Sequence, residues 1–120
     1  MNWEKETVQM LGRFQPWHDG HTALFKKAHT KTGQVVIILR QADRSEKNPY
    51  SFTQREEWIK KALKAEGFTD KDFCILRAPN IVNITYGRDV GYTITQEHLD
   101  PELESISATQ IRNEKRTNSV

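Results

Sequence analysis

The chain has 120 residues, a formal net charge of +2 and 28% charged side chains. This length predicts one compact domain, residues 1–120, with little room for a separate substrate domain. The small net charge gives no general basic field for nucleic acid, so an anionic small molecule is the better-matched partner. Cys74 is the only cysteine. It excludes an internal disulfide or a multi-cysteine metal site, favours the cytosol, and is expected in the core.

Two stretches bear on membranes and targeting. Met1–Glu6 is polar where a signal peptide would need an apolar segment. The longest aliphatic run, Val35–Leu39, is far shorter than the roughly 20 residues that a membrane helix requires. We therefore expect neither a secretion signal nor a membrane span.

The first elements form a strand, a helix and a second strand. Thr7–Leu11 has the β-branched and apolar character of a short buried strand, and helical spacing of apolar residues follows from about His21 to Thr30. Gly33 is placed to end that helix. Val35–Leu39 is continuously apolar, which is typical of a central parallel strand covered by helices on both faces. These elements predict an α/β fold, a single Rossmann-like three-layer domain with a small, mostly parallel sheet.

The loop Leu11–His21 combines several features that suit a phosphate. It lies at a strand-to-helix crossover, where ligands bind α/β sheets and a helix start presents unpaired N–H groups. His18 and His21 are three residues apart, so both rings can reach one phosphate from the first turn. Gly20 lets a ligand approach the backbone, and Arg13 adds a permanently charged donor. Each part alone could belong to a plain turn, but the combination favours a phosphate site.

The middle of the chain predicts a loop, a helix and two strands. Arg40–Phe52 is polar and leaves the second strand at the same edge as the first loop. Thr53–Glu56 has a capping-box pattern and opens a helix that runs to Gly67. The apolar stripe of this helix comprises Trp58, Ile59, Ala62 and Leu63. Phe73–Leu76 and Ile81–Tyr86 are the third and fourth strands, with no room for a helix between them.

Two later stretches carry candidate ligand contacts. Two glycines frame Arg88 and Asp89, which suit a nucleotide, although a turn with a local ion pair is the slightly favoured alternative. Asp100–Glu102 can start a single helical turn, because proline is favoured at the first helical position. Ser107–Gln110 is a capping-box pattern that predicts another helix start.

That last helix start can also bind an anion. The hydroxyls of Ser107 and Thr109, the unpaired N–H groups and Arg112 one turn later form an anion site from residues that also cap the helix. Phosphate binding is favoured over capping alone, because the first loop needs a partner for a polyphosphate chain. Residues 113–120 are expected to be a frayed polar tail.

Three stretches resemble the nucleotidylyltransferase superfamily. Gly12–His21 looks like its HxGH signature, and the GRFQP letters are similar to the archaeal-type NMN adenylyltransferases. Ile106–Arg112 resembles the second signature, ISxTxxR. Asn48–Glu56 resembles an NPF-T-x-x-E-R-like stretch in which a basic residue shortly before the proline contacts phosphate. Lys47 stands at that place here, and a solvated lysine is the alternative.

The resemblance implies transfer of a nucleoside monophosphate from a nucleoside triphosphate to a phosphorylated small-molecule acceptor, with release of pyrophosphate. It implies a catalytic role for His18, His21 and Arg112. Phosphate or nucleotide binding is implied for Gly12, Arg13, Phe14, Gln15, Gly20, Lys47, Arg88, Asp89, Ser107 and Thr109. Mg²⁺ is expected between the substrate phosphates, since no carboxylate cage for a resident metal is visible in the sequence.

Several readings of this function stay open. The GRFQP and ISAT-x-IR forms favour adenylyl transfer to nicotinamide mononucleotide, giving NAD. The short chain suits a cytidylyltransferase acting on a small phosphorylated acceptor. The family's usual helical acceptor segment before the fourth strand is missing, which motivates a non-catalytic nucleotide-binding regulatory module. Zinc binding and Ser-His hydrolysis rank lower, for lack of ligands and of a nucleophile elbow. A four- or five-stranded sheet this small can also pair with a copy of itself.

Overall fold

The computed structural model describes residues 1–41, 48–88 and 91–97, which form a three-stranded parallel sheet with two helices. The sheet has the order β1-β2-β3. The elements in chain order are β1 (Val8–Gly12), α1 (Asp19–Thr32), β2 (Val35–Arg40), α2 (Phe52–Ala65) and β3 (Phe73–Ala78). The predicted α/β, Rossmann-like class with a small parallel sheet is confirmed.

The core lies between one face of the sheet and the helices. The register aligns Met10 of β1 with Ile37 of β2 and Ile75 of β3. Alternate side chains of β2 are fully buried, and so are apolar residues on the inner faces of both helices. The main members of this cluster are Met10, Phe25, Val35, Ile37, Leu39, Ile59, Leu63 and Phe73. Burial of this apolar surface is the main force that holds the strands and helices together.

The opposite face of the sheet is less covered by the described residues. Leu11 of β1 is 37% exposed and Leu76 of β3 is 39% exposed. Right-handed crossovers that step in one direction, β1 to β2 to β3, place both α1 and α2 on the same face. The helical cover that the sequence predicts for the second face is therefore not supplied by the described residues. Cys74, which was expected in the core, lies on this face and is half-buried.

The two helices begin earlier than the sequence predicts. Helix α1 begins at Asp19 rather than near His21, and Gly33 ends it as predicted, with φ of 80° and its N–H donating to the His29 carbonyl. Helix α2 begins at Phe52, because its capping box is formed by Ser51 and Gln54. The predicted box at Thr53–Glu56 is wrong.

The observed box of α2 satisfies two backbone donors. The Ser51 hydroxyl accepts from the Gln54 N–H at 3.2 Å, and the Gln54 Oε1 accepts from the Ser51 N–H at 3.0 Å. These bonds supply the partners that a helix start lacks, and the observed box lies two residues before the predicted one. In the predicted apolar stripe, Ile59 and Leu63 are fully buried, whereas Trp58 and Ala62 are partly exposed.

The predicted fourth strand, Ile81–Tyr86, is not a strand. The Ile81 N–H donates to the Pro79 carbonyl at 2.8 Å, so a tight turn ends the extended chain directly after β3. Beyond the turn Val82 and Ile84 are exposed to solvent and pair with no strand of the described chain. Alternating apolar residues therefore produced a strand pattern without a neighbouring strand to pair with.

None of the described helices is long and apolar enough to cross a membrane.

Candidate functional site

Residues Gly12–His21, which we call the histidine loop, join the carboxyl end of β1 to the start of α1. Phe14 takes a left-handed backbone conformation, with φ of 48°, and folds its ring back over Gly12. A Cβ atom on Gly12 would lie 2.8 Å from the Phe14 Cζ atom, which is closer than real contacts allow. Glycine is therefore required at position 12 by the close approach of the ring.

Aromatic packing fixes the position of His21. The His21 ring lies edge-on to Phe14, with ring centroids 4.9 Å apart, and 5.3 Å from the ring of Trp17. Phe14 and Trp17 are themselves buried and 5.0 Å apart. The Trp17 indole N–H donates to the Thr22 hydroxyl at 2.8 Å, which holds the indole against the first turn of α1. The His21 ring is thus confined before any ligand is present.

The two histidines also cap the helix. The His18 Nδ1 atom accepts from the Gly20 N–H at 3.0 Å, and the His21 Nδ1 atom accepts from the His18 N–H at 3.1 Å. This reciprocal pair is a capping box built from imidazoles, with His18 as the N-cap. The rings stack with centroids 3.8 Å apart and an angle of 24° between their planes. The predicted convergence of the two rings at the first turn is present in this geometry.

The capping bonds determine where each imidazole carries its proton. A backbone N–H can only donate, so each Nδ1 must accept, and a neutral ring then has its N–H at Nε2. Burial, and to a smaller extent the neighbouring His18, lower the pKa of His21 to about 3. Burial also lowers the pKa of His18, opposed by the charge of Asp19. At neutral pH the site therefore offers two neutral Nε2–H donors side by side.

Three backbone N–H groups at the start of α1 already have hydrogen-bond partners. The Gly20 N–H is bonded to His18 Nδ1, and the N–H groups of His21 and Thr22 donate to the His18 carbonyl at 2.9 and 3.1 Å. The sequence predicted that unpaired N–H groups at this point would meet an anion. Instead the structure offers the imidazole Nε2 atoms as donors, with the partial positive charge of the helix start behind them.

A second segment lies against the histidine loop. The Arg13 Nη1 atom donates to the Asn48 Oδ1 atom at 3.0 Å. Gln15 is only 2% exposed, and its amide both accepts from the Tyr50 N–H at 3.2 Å and donates to the Tyr50 carbonyl at 3.4 Å. The loop after β2 therefore faces the first loop, as predicted. In this geometry the Gln15 amide joins the two loops.

Positive charge collects at the carboxyl edge of the sheet, and sequence reasoning identified only part of it. Arg40 ends β2, with its Nη1 donating to the Ile81 carbonyl at 3.1 Å and its Nε buried without a partner among the described residues. Arg77 of β3 lies 5.1 Å from the centre of the Phe52 ring and donates to Gln41. Among the described residues no carboxylate pairs with these arginines or with Arg13 and the buried Arg55. The sequence signal that was missed is that each apolar strand has an arginine at or next to its carboxyl end: Arg13 for β1, Arg40 for β2 and Arg77 for β3.

The structure brings together only some of the predicted site residues. Those that meet in the histidine loop are Gly12, Arg13, Phe14, Gln15, His18, Gly20 and His21. Arg88 is exposed, and no hydrogen bond or ion pair in the described chain links it to that loop. The predictions for Lys47, Asp89, Asp100–Glu102, Ser107, Thr109, Arg112 and the tail 113–120 lie outside the described residues.

The fold and the site together define a Rossmann-like α/β domain with a histidine-containing loop at the carboxyl end of its first strand. A sequence model described as cytidylyltransferase-like matches residues 10–107. The chain belongs to this cytidylyltransferase-like family, which confirms the superfamily that the HxGH and ISxTxxR signatures suggested.

Individual relatives agree over part of their length. The chain is 32% identical over 73 residues to the nicotinamide-nucleotide adenylyltransferase of Thermococcus kodakarensis, covering 59% of this chain and 39% of that protein. It is 34% identical over 73 residues to the enzyme of the same name from Ignicoccus hospitalis, covering 59% and 43%. The chain thus spans about two fifths of the length of these relatives.

A solved structure shows a similar backbone. It is a bifunctional NMN adenylyltransferase/ADP ribose pyrophosphatase from Francisella tularensis, complexed with AMP and a Mn ion. The TM-score is 0.55 at 28% sequence identity, and the match covers 62% of this chain and 22% of that one. The match supports the Rossmann-like arrangement described above.

Proposed function

We propose that this protein transfers AMP from ATP to nicotinamide mononucleotide, forming NAD and releasing pyrophosphate. The observation that carries the proposal is the stacked pair of His18 and His21 at the start of α1, with both Nε2 atoms without partners among the described residues. Such a pair can donate two hydrogen bonds to neighbouring phosphate oxygens. The names of the relatives from Thermococcus and Ignicoccus support transfer of an adenylyl group to a nicotinamide nucleotide.

The reaction needs positioning and charge stabilisation rather than a covalent intermediate. An oxygen of the acceptor phosphate forms a bond to the α-phosphorus of ATP, and the bond from that phosphorus to the pyrophosphate oxygen breaks. Negative charge grows on the leaving pyrophosphate. Donors that are already oriented by the capping bonds of His18 and His21 stabilise this charge without reorganisation. Because the attacking phosphate oxygen is already ionised at neutral pH, neither ring has to remove a proton from it.

The remaining predicted residues are assigned to the rest of the triphosphate. Arg13 supplies a fixed positive charge beside the histidines, held by Asn48. Lys47, Arg88, Asp89, Ser107, Thr109 and Arg112 are proposed to contact the other phosphates or the nucleoside, with Arg112 in the catalytic role. Mg²⁺ would be held mainly by substrate oxygens, since the described residues contain no group of three His, Cys, Asp or Glu side chains able to hold a metal ion.

Two alternatives have specific support. Cytidylyl transfer to a small phosphorylated acceptor is favoured by the description of the matching family. A nucleotide-binding regulatory module is favoured by the chain after β3, where exposed residues such as Val82 and Tyr86 form neither helix nor strand. Such a chain would keep the histidine loop and lack a formed acceptor site.

The cytosol remains the expected compartment, because Cys74 has no second cysteine to pair with.

Pyrophosphate release with Mg²⁺ tests the proposal. ATP and CTP are each combined with nicotinamide mononucleotide and with a panel of other phosphorylated acceptors, using the whole chain. Release with ATP and nicotinamide mononucleotide, and formation of NAD, is the expected result. Release that requires CTP and another acceptor would replace it with the cytidylyltransferase, and binding of a triphosphate without any turnover would favour the regulatory module.

A further inference from the structure

Arg55 is a fully buried arginine that joins three pieces of backbone. It lies at the start of α2 and is 1% exposed. Its Nη1 atom donates to the carbonyl of Arg13, directly after β1, and to the carbonyl of Arg40, the last residue of β2, both at 2.8 Å. Its Nε atom donates to the Ser51 carbonyl, the N-cap of α2, at 3.3 Å. One guanidinium thus connects the carboxyl ends of two strands with the beginning of a helix.

The partners of Arg55 are unusual for a buried charge. Buried arginines are normally paired with a carboxylate, because an uncompensated charge is costly to remove from water. Here the hydrogen-bond partners are neutral carbonyls, and burial, together with the nearby charge of Arg77, lowers the pKa of Arg55. A position that only needed apolar packing would not retain this group. The guanidinium suits a place where two nitrogens of one side chain must reach three carbonyls.

The carbonyl of Arg13 connects Arg55 to the histidines. It belongs to the peptide that joins Arg13 to Phe14, whose φ of 48° is costly for a residue with a side chain. The orientation of this peptide sets the direction of the Phe14 ring, which lies over Gly12 and against His21. The hydrogen bond from Arg55 stabilises the orientation that places the ring there.

We infer that Arg55 is a positioning residue for the reaction: by holding the Arg13 carbonyl it keeps Phe14, and through Phe14 the ring of His21, in the reactive arrangement. This inference rests on the proposed function. The proposed role of Arg55 differs from that of Arg13, because Arg55 is buried and does not contact the substrate. Lysine cannot replace it, because its ammonium ends one bond short of the position of Nη1, which reaches the Arg13 and Arg40 carbonyls, and it has no second nitrogen for the Ser51 carbonyl.

The test compares Arg55→Lys with a matched control, Ile59→Val. Ile59 lies on the same helix, one turn later, and is fully buried in the hydrophobic core. Both variants are expected to lower the melting temperature. Activity is measured well below either melting temperature, together with amide hydrogen exchange of residues 12–21 without substrate. Arg55→Lys should lower kcat about tenfold or more, change the KM for ATP less than about threefold, and speed exchange in the histidine loop. Ile59→Val should leave kcat and loop exchange as in the wild type.

Two outcomes overturn the inference. Wild-type kcat and loop exchange in folded Arg55→Lys would show that Arg55 contributes to stability alone. If Arg55→Lys does not fold, Gly12→Ala tests the same route, because its Cβ displaces the Phe14 ring while Arg55 stays in place. It should also lower kcat about tenfold, and a wild-type kcat would contradict the route through Phe14. An inactive wild-type chain would overturn the proposed function instead, and unchanged loop exchange in Arg55→Lys would still overturn this inference.

Discussion

The histidine loop and the segment after β3 differ in how completely their groups are partnered. In the loop, Gln15 and Trp17 are buried and hydrogen-bonded, and the two imidazoles cap α1. After β3, Val82 is 85% exposed and Tyr92 82% exposed, with no strand to pair with in the described chain. The comparison shows that the part of the site suited to phosphate is preorganised. The described residues form no comparably ordered site for the part of an acceptor molecule beyond its phosphate.

The largest expected effect comes from removing the donors of the histidine loop while keeping its caps. Asparagine places an amide oxygen where the Nδ1 atom of histidine stands and has no atom at the Nε2 position. His18→Asn and His21→Asn should therefore retain α1 and lower kcat by about 100-fold each, the cost of losing one preorganised donor. Steady-state kinetics and far-UV circular dichroism measure the two effects. Unchanged kcat in either variant, at full helicity, would remove that histidine from the reaction.

A smaller effect is expected at the charge beside the histidines. Arg13→Gln removes a charged donor and should raise the KM for ATP about tenfold, with a smaller change in kcat. Asn48→Ala keeps the charge of Arg13 and removes the hydrogen bond that orients it. It should raise the KM about threefold or less. Equal effects of the two substitutions would indicate that the orientation of Arg13, and not its charge, is what binds ATP.

The histidine loop also predicts how stability depends on pH. The pKa of His21 is lowered to about 3 and that of His18 is lowered as well. Below pH 6.5 the unfolded chain binds protons that the folded loop excludes, so the free energy of unfolding should decrease as pH falls. The expected slope is at most about 1.4 kcal/mol per pH unit for each histidine.

Urea unfolding between pH 6.5 and 5 measures this slope. The pKa of Asp72 is lowered mainly by a hydrogen bond from the Thr69 N–H. The stability that Asp72 contributes is therefore lost only at pH values more acidic than this range, so it does not add to the slope expected from His18 and His21. His21→Asn removes one titrating group and should flatten the slope. A variant with the wild-type slope would contradict the burial of the His21 ring.

The smallest effect is expected after β3. Val82→Ser and Ile84→Thr replace exposed side chains, so each should change the free energy of unfolding by less than about 0.5 kcal/mol. Ile37→Ala is the core control and should cost about 2–5 kcal/mol. A large loss of stability in Val82→Ser or Ile84→Thr, measured by urea unfolding, would show that this segment is buried in solution.

The sequence predicted the histidine loop well because its signals are local. Glycine, proline and two histidines within a few residues restrict the backbone and the chemistry together, and the order strand, helix, strand follows from apolar periodicity. The fourth strand was wrong because the pattern at Ile81–Tyr86 says nothing about a partner strand. Arg55 was missed for a related reason. Its role depends on carbonyls 42 and 15 residues away in the chain, which no local pattern reveals.

The most direct test of the central claim is ¹⁵N NMR of the imidazole nitrogens at pH 7 during titration with ATP and Mg²⁺. The account predicts that His18 and His21 are neutral, with protons at Nε2, and that the Nε2 signals of both rings shift when the triphosphate binds. His29 pairs with Asp72 away from the loop and should not shift, which makes it the internal control. Protonated rings, protons at Nδ1, or binding that leaves both Nε2 signals unchanged would contradict the account.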